Sequence, residues 1–165
     1  MARRKTPPLQ QAAKDGDLAK LQAALEKKWW RAAPDINAGD EWGCAALHYA
    51  AEGSNLQLAR WLIENGADIA AVNRFGHQPL HNAARHGRTE IIALLLDKGA
   101  SIDGKAGGDE TALQLAVKRG HADAARLLLE RGADRSVKNK EGKTAPDIAR
   151  ETKREDLVGL FDETG

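Results

Sequence analysis

The sequence has little cysteine, little net charge and no long apolar run, and each shortage excludes a class of protein. Cys44 is the only cysteine among the 165 residues, so no disulfide can form within the chain. A formal net charge of +1 argues against a protein held on nucleic acid by bulk electrostatics. The longest strictly apolar run, residues 91–96, is far too short to span a bilayer. We therefore expect an intracellular, cytoplasmic protein with no membrane segment.

An internal repeat with a period of 33 residues is the main positive feature of the sequence. The stretch 76–87, which contains Pro79-Leu80-His81, aligns with 109–120 one period downstream and with 43–51 one period upstream. A second signal keeps the same register, because Gly-Ala-Asp or Gly-Ala-Ser begins at residues 66, 99 and 132. A fixed period of this length is typical of a solenoid built from one supersecondary unit.

The repeated stretches resemble the ankyrin repeat, whose signature is T-P-L-H-x-A-A-x-x-G followed by L-L-x-x-G-A-D. The resemblance extends over roughly residues 8–161 and is closest in residues 73–105. It implies an all-α, ankyrin-like α-solenoid of helix-turn-helix repeats joined by β-hairpin-like turns. It also implies a module that binds a partner protein or peptide and needs no cofactor.

Repeat boundaries follow from this register. We expect a flexible basic tail at 1–6 and a single domain at 7–165, with repeats at about 7–39, 40–72, 73–105, 106–138 and 139–165. Lys20 occupies the position that is apolar in later repeats, and Arg150 replaces a small apolar residue in the last repeat. Polar outer faces are typical of capping repeats. We therefore expect an array of five repeats that is closed at both ends and monomeric.

One insertion interrupts the period. Five extra residues lie within 28–34, a segment that contains Trp29 and Trp30. Insertions in repeat arrays map to loops, often on the binding face. The two tryptophans either fold back over the exposed edge of the capping repeat or contact a partner.

No group of residues in the sequence forms a plausible catalytic or metal site. The resemblance assigns His48 and His81 a structural role, in which the imidazole braces loops of adjacent repeats. His77, His81 and His86 have spacings that could suggest metal binding, but no cysteine or carboxylate completes a ligand set. Cys44 has no free base beside it. We expect no enzymatic activity, no metal and no cofactor.

The predicted binding surface lies at the turn tips and at the outward edge of the first helix of each repeat. In ankyrin-like proteins these variable positions form the concave binding face. We place Trp42 and Phe75 at its centre, because large apolar side chains at a turn tip have no core to enter. In an alternative interpretation, Trp42 packs against Trp29 or Trp30. Cys44 is also placed on this surface, and the remaining predicted contacts are Arg74, His77, Arg85, His86, Lys118 and Arg119.

The predicted partner is an acidic segment that carries an apolar anchor, because cationic side chains surround the aromatic pair. A second interpretation from another functional class is nucleic-acid binding through the basic edge of repeats three to five. Steep salt dependence of binding would favour that second interpretation. Its candidate residues are Arg74, Arg85, Lys105, Lys118, Arg119 and Lys138.

Overall fold

The computed structural model describes residues 8–26 and 34–162, and within these ranges the chain forms ten α-helices and no strand. Trp29, Trp30 and the predicted tail at 1–6 lie outside the described residues. None of the described helices is long and apolar enough to cross a membrane. The helices are α1 Pro8–Lys14, α2 Leu18–Glu26, α3 Ala46–Glu52, α4 Leu56–Glu64, α5 Pro79–Arg85, α6 Thr89–Asp97, α7 Ala112–Arg119, α8 Ala122–Glu130, α9 Ala145–Glu151 and α10 Glu155–Asp162.

The helices pair along the chain, and the pairs stack into two layers. The first helices of the repeats, α1, α3, α5, α7 and α9, pack in order along one layer. The second helices α4, α6, α8 and α10 pack in order along the other. From repeat two onward, equivalent helices begin 33 residues apart, at Ala46, Pro79, Ala112 and Ala145 in the first layer. The predicted all-α solenoid is confirmed.

Small side chains let the first-layer helices approach closely. Ala51, Ala84 and Val117 are equivalent residues on α3, α5 and α7, and none exposes any surface. The second-layer helices contribute larger buried residues, such as Leu62 and Leu95. Leu80, at the start of α5, is also fully buried. Each repeat therefore buries its apolar face only against its neighbours, which is the defining energetic feature of a solenoid.

The two substituted positions carry polar, exposed side chains. Lys20 lies on the surface of α2 and pairs with Asp17, with 2.9 Å between Nζ and Oδ2. Arg150 lies on the surface of α9, and its Nη1 is 3.3 Å from Oδ1 of Asp147. The expectation of an array closed at both ends stays a prediction.

Hairpin-like turns precede the first helices, and they stack on one another through backbone hydrogen bonds. Asn73 N–H donates to the His77 carbonyl at 3.0 Å, which closes the turn of repeat three. Repeat four differs, because Ala106 has no side-chain acceptor and its tip is a 3₁₀ turn at Gly107–Asp109. In that turn Asp109 has φ 58°, a conformation in which a β-carbon is unfavourable.

Candidate functional site

The tips of the turns in repeats two and three hold their backbones in the same way. The Asp40 carboxylate accepts hydrogen bonds from the backbone N–H of Trp42 at 2.9 Å and of Cys44 at 3.1 Å. Asn73 makes the same pair of bonds one period later, at 2.9 and 3.0 Å, and the first of them comes from Phe75. Aspartate and asparagine side chains commonly stabilise turns in this way. The two turns therefore fix the backbone positions of Trp42 and Phe75.

Trp42 and Phe75 form a stacked and exposed aromatic pair. Their ring centroids are 6.0 Å apart and their planes differ by 21°, which is within the favourable range for offset stacking. Trp42 is 50% exposed and Phe75 is 55% exposed. The backbone holds the pair in register, because Arg74 N–H donates to the Trp42 carbonyl at 3.0 Å and Gly107 N–H donates to the Phe75 carbonyl at 3.1 Å.

A cleft of about 320 Å³ opens beside this pair, between the turn tips and helices α3 and α5. Its volume lies at the lower end of the range for ligand-binding pockets. The two aromatic rings form one wall, and the buried side chains of Cys44, Asn73 and Asn82 form the floor. The other lining residues are Tyr49, Glu52, His77, Arg85 and His86. Five of the eight predicted contact residues therefore line one cleft. Arg74 is exposed at the turn tip, and Trp29 and Trp30 lie outside the described residues.

The charged groups of the cleft are unevenly paired. His86 Nε2 lies 3.5 Å from Glu52 Oε1, and His86 Nδ1 bonds to the Asn82 carbonyl at 3.0 Å. Arg85 is exposed and makes no ion pair with any described residue. His77 is half-buried, and burial together with the nearby Arg85 charge lowers the pKa of its imidazole. The contact between His86 and Glu52 is ionic only when the imidazole is protonated, whereas Arg85 is a permanent cation of the cleft without a carboxylate partner among the described residues.

Two predicted surface residues differ from the expectation. Cys44 is buried with 7% exposure, and its Sγ accepts a hydrogen bond from Asn73 Nδ2 at 3.5 Å. Burial raises the pKa of the thiol, so Cys44 belongs to the floor of the cleft rather than to an outer contact surface. Lys118 is exposed, but its Nζ lies 2.7 Å from Glu110 Oε1. Its charge is largely neutralised within the chain. The sequence alone did not predict either contact.

Two family models match the chain. One described as ankyrin repeats (3 copies) matches residues 9–106, and one described as ankyrin repeats (many copies) matches residues 95–149. The chain belongs to the ankyrin-repeat family. No curated protein matches the sequence significantly. Ankyrin repeats generally act as protein–protein interaction modules, which agrees with an exposed aromatic cleft on the turn tips.

The ankyrin histidines are used structurally, as the resemblance implied. His81 Nδ1 accepts the backbone N–H of Gln78 at 3.2 Å, so its proton is on Nε2, which donates to the Gly104 carbonyl at 2.8 Å. His48 makes the same two kinds of bond one repeat earlier, at 3.2 and 3.0 Å. Gln114 replaces the histidine in repeat four and keeps both functions of the ring. Each of these side chains ties its own helix to the next loop.

These bonds leave the histidines little capacity to bind a metal. Both ring nitrogens of His81 are already engaged, although the rings of His77 and His81 stack with centroids 6.0 Å apart. Among the described residues, no three histidine, cysteine or acidic side chains come together as a possible metal site.

Tyr49 and Asn82 line the cleft on the first-layer helices, although the sequence analysis did not predict them. They are equivalent residues on α3 and α5, where the later repeats have Leu115 and Ile148. This change from polar to apolar residues between repeats was the available signal. The Tyr49 hydroxyl donates to the Asp40 carboxylate, and burial and that bond raise the pKa of the phenol. Tyr49 thereby supports the turn that carries Trp42.

Proposed function

We propose that this ankyrin-repeat protein binds a partner protein or peptide through the cleft beside Trp42 and Phe75, without catalysing a reaction and without a cofactor. The observation that carries the proposal is the stacked aromatic pair, half-exposed at the rim of a preformed cleft. Exposed apolar patches on monomeric soluble proteins usually mark interaction sites. Tryptophan and arginine are also enriched among the residues that dominate binding energy.

Preorganisation supports the same proposal. The Asp40 and Asn73 turns and the inter-tip hydrogen bonds hold the aromatic backbone positions before any partner arrives. A surface that is already ordered loses less conformational entropy on binding than a flexible loop does. The framework therefore favours an extended segment that fits between the tips and the first-layer helices.

We propose that the partner segment carries apolar and acidic groups. Trp42 and Phe75 offer an apolar wall, and Arg74, Arg85 and Arg119 are exposed cations on the same side of the repeats. Nucleic-acid binding is the less favoured interpretation, because acidic side chains interrupt the basic edge. Lys118 pairs with Glu110, and Lys143 pairs with both Glu141 and Glu151 at 2.9 Å.

The proposal is tested with the variants Trp42→Ala and Phe75→Ala and with Val72→Ala as a control. Val72 is also exposed, at 58%, but does not line the cleft. A partner recovered by affinity capture from the native cell is titrated against all three variants, and each variant is melted. We expect each aromatic truncation to lower affinity at least tenfold with an unchanged melt, and Val72→Ala to change neither.

Unchanged affinity with a lowered melting temperature in Trp42→Ala and Phe75→Ala would contradict the proposal. It would assign both rings to packing within the repeats. Affinity that falls steeply with salt, together with retention of nucleic acid on the purified chain, would instead favour the basic edge.

A further inference from the structure

Two side chains at opposite ends of the first helix can contact each other in repeats four and five. The first belongs to the residue two positions before the helix begins, and the second belongs to the residue eight positions after the first, in the last turn of the helix. In repeat four these positions hold Glu110 and Lys118, whose charged atoms are 2.7 Å apart. In repeat five they hold Lys143 and Glu151, which are 2.9 Å apart. The backbone of a repeat therefore brings the two side chains within ion-pair distance, whichever of them is the acid.

Repeat three lacks an acid at either position. His77 and Arg85 are the equivalent residues, and both line the cleft beside Phe75. Arg85 makes no ion pair with any described residue, and Glu110, the nearest acid in the next repeat, is engaged by Lys118. Arg85 is therefore the unpaired member of a set whose counterparts in repeats four and five are paired.

We propose that His77 and Arg85 form a carboxylate-binding subsite, which takes the side chain of an aspartate or glutamate from the partner segment. The partner carboxylate would lie between His77 and Arg85. It would supply the acidic group that Glu110 supplies in repeat four and Glu151 supplies in repeat five. Its neighbouring apolar residue would lie against Phe75 and Trp42. This inference rests on the proposed function, and it adds which residues select the acid and where the acid lies relative to the apolar anchor.

The size and chemistry of the cleft agree with a side-chain carboxylate. Arginine presents several N–H donors in a planar fork that matches a carboxylate, and such charge-assisted hydrogen bonds are among the strongest in proteins. Glu52 also lines the cleft, but it lies 3.5 Å from His86 Nε2 and makes no ion pair with Arg85. Asn82 is buried and contributes a polar amide to the same lining.

The test uses the full chain and a phage-displayed library of random dodecapeptides. We expect enriched peptides to combine an aromatic or leucine residue with an aspartate or glutamate within three positions of it. The best peptide is then synthesised and titrated against Arg85→Gln, His77→Glu and Phe75→Ala. Lys143→Gln is the matched control, because it removes a cation that is already paired, at the position of repeat five equivalent to His77.

We expect Arg85→Gln to weaken binding of the acidic peptide at least tenfold, which corresponds to about 1.4 kcal/mol. His77→Glu should weaken it as strongly, because the new carboxylate would pair with Arg85 as Glu110 pairs with Lys118. Its melting temperature should be equal to that of the parent or higher. Lys143→Gln should change affinity less than twofold.

The outcomes separate this inference from the proposed function. Enriched peptides that need Phe75 but show no preference for acidic residues would overturn the carboxylate subsite and leave the protein-binding proposal intact. Enrichment that is unchanged by both Phe75→Ala and Trp42→Ala would overturn both. A mixed-sequence single-stranded oligonucleotide that displaces the peptide at a lower concentration would assign the cations to phosphate and also overturn the subsite.

Discussion

Acid should destabilise this protein through the buried histidines that brace its loops. Burial lowers the pKa of His81 to about 4, compared with an ordinary value of 6.5, and burial also lowers the pKa of His48. The cause is visible in the hydrogen bonds, because Nδ1 of each ring accepts a backbone N–H. A proton added there would face a donor inside the protein. The folded state therefore favours the neutral form of the imidazole over the protonated form.

The sign and size of the effect follow from linkage. As the pH falls, the unfolded chain takes up a proton on this residue near pH 6.5, whereas the folded chain does so only near pH 4. The stabilising contribution is thus fully present above pH 6.5 and is lost between pH 6.5 and about 4. For His81 alone, the free energy of unfolding should fall by about 2–3 kcal/mol from pH 7.5 to pH 4.5.

Glutamine provides the variant that isolates this contribution. Gln114 makes the same two bonds in repeat four without a titratable group, since its side chain accepts Thr111 N–H at 3.0 Å and donates to the Val137 carbonyl at 2.7 Å. His81→Gln should therefore keep the brace and lose about 2–3 kcal/mol of the pH dependence. Gln114→His is the converse variant, and it should gain a similar dependence.

Urea denaturation followed by circular dichroism at pH 7.5 and pH 4.5 measures the effect. The quantity compared is the change in unfolding free energy between the two pH values, because carboxylates with lowered pKa, such as Asp40, contribute equally to all variants. If the parent and His81→Gln lose the same free energy on acidification, then protonation of His81 does not drive the loss.

Two further predictions concern stability, each measured by denaturation at pH 7.5. Leu80→Ala should cost about 2–5 kcal/mol, because Leu80 is fully buried; a melt like the parent's would remove it from the core. Asp109→Gly and Lys153→Gly should each stabilise by up to about 1 kcal/mol, because both residues have positive φ, of 58° and 53°; lower stability in both would show that the strain is not significant.

The sequence alone was sufficient for the fold, and its resemblance to the ankyrin repeat implied the structural use of the histidines. The helix starts at Ala46, Pro79 and Ala112 keep the 33-residue period, because each repeat carries the same local signals for turn and helix. The fold could be predicted because it depends on residues close together in the chain and on a strict period.

The turn tips of repeats two and three share one conformation, and the tip of repeat four differs from them. Asp40 and Asn73 supply the oxygen that bonds the backbone two and four residues later. Ala106 cannot, and its tip is a 3₁₀ turn with Asp109 at positive φ. One missing side-chain acceptor was readable in the sequence, but the conformation that replaces the turn was not.

Only the tertiary structure decided how the candidate site is assembled. The period gave Trp42 and Phe75 equivalent positions, but their stacking at 6.0 Å depends on side-chain rotamers and on the inter-tip hydrogen bonds. The burial of Cys44 and the pairing of Lys118 with Glu110 likewise depend on neighbours that are distant in sequence or on which rotamer brings two charges together. Local sequence specifies backbone conformation, whereas exposure and charge pairing depend on which side chains meet across a repeat and between repeats. For that reason the sequence could propose the residues of the cleft, and only the structure could distinguish the unpaired Arg85 from its paired equivalents.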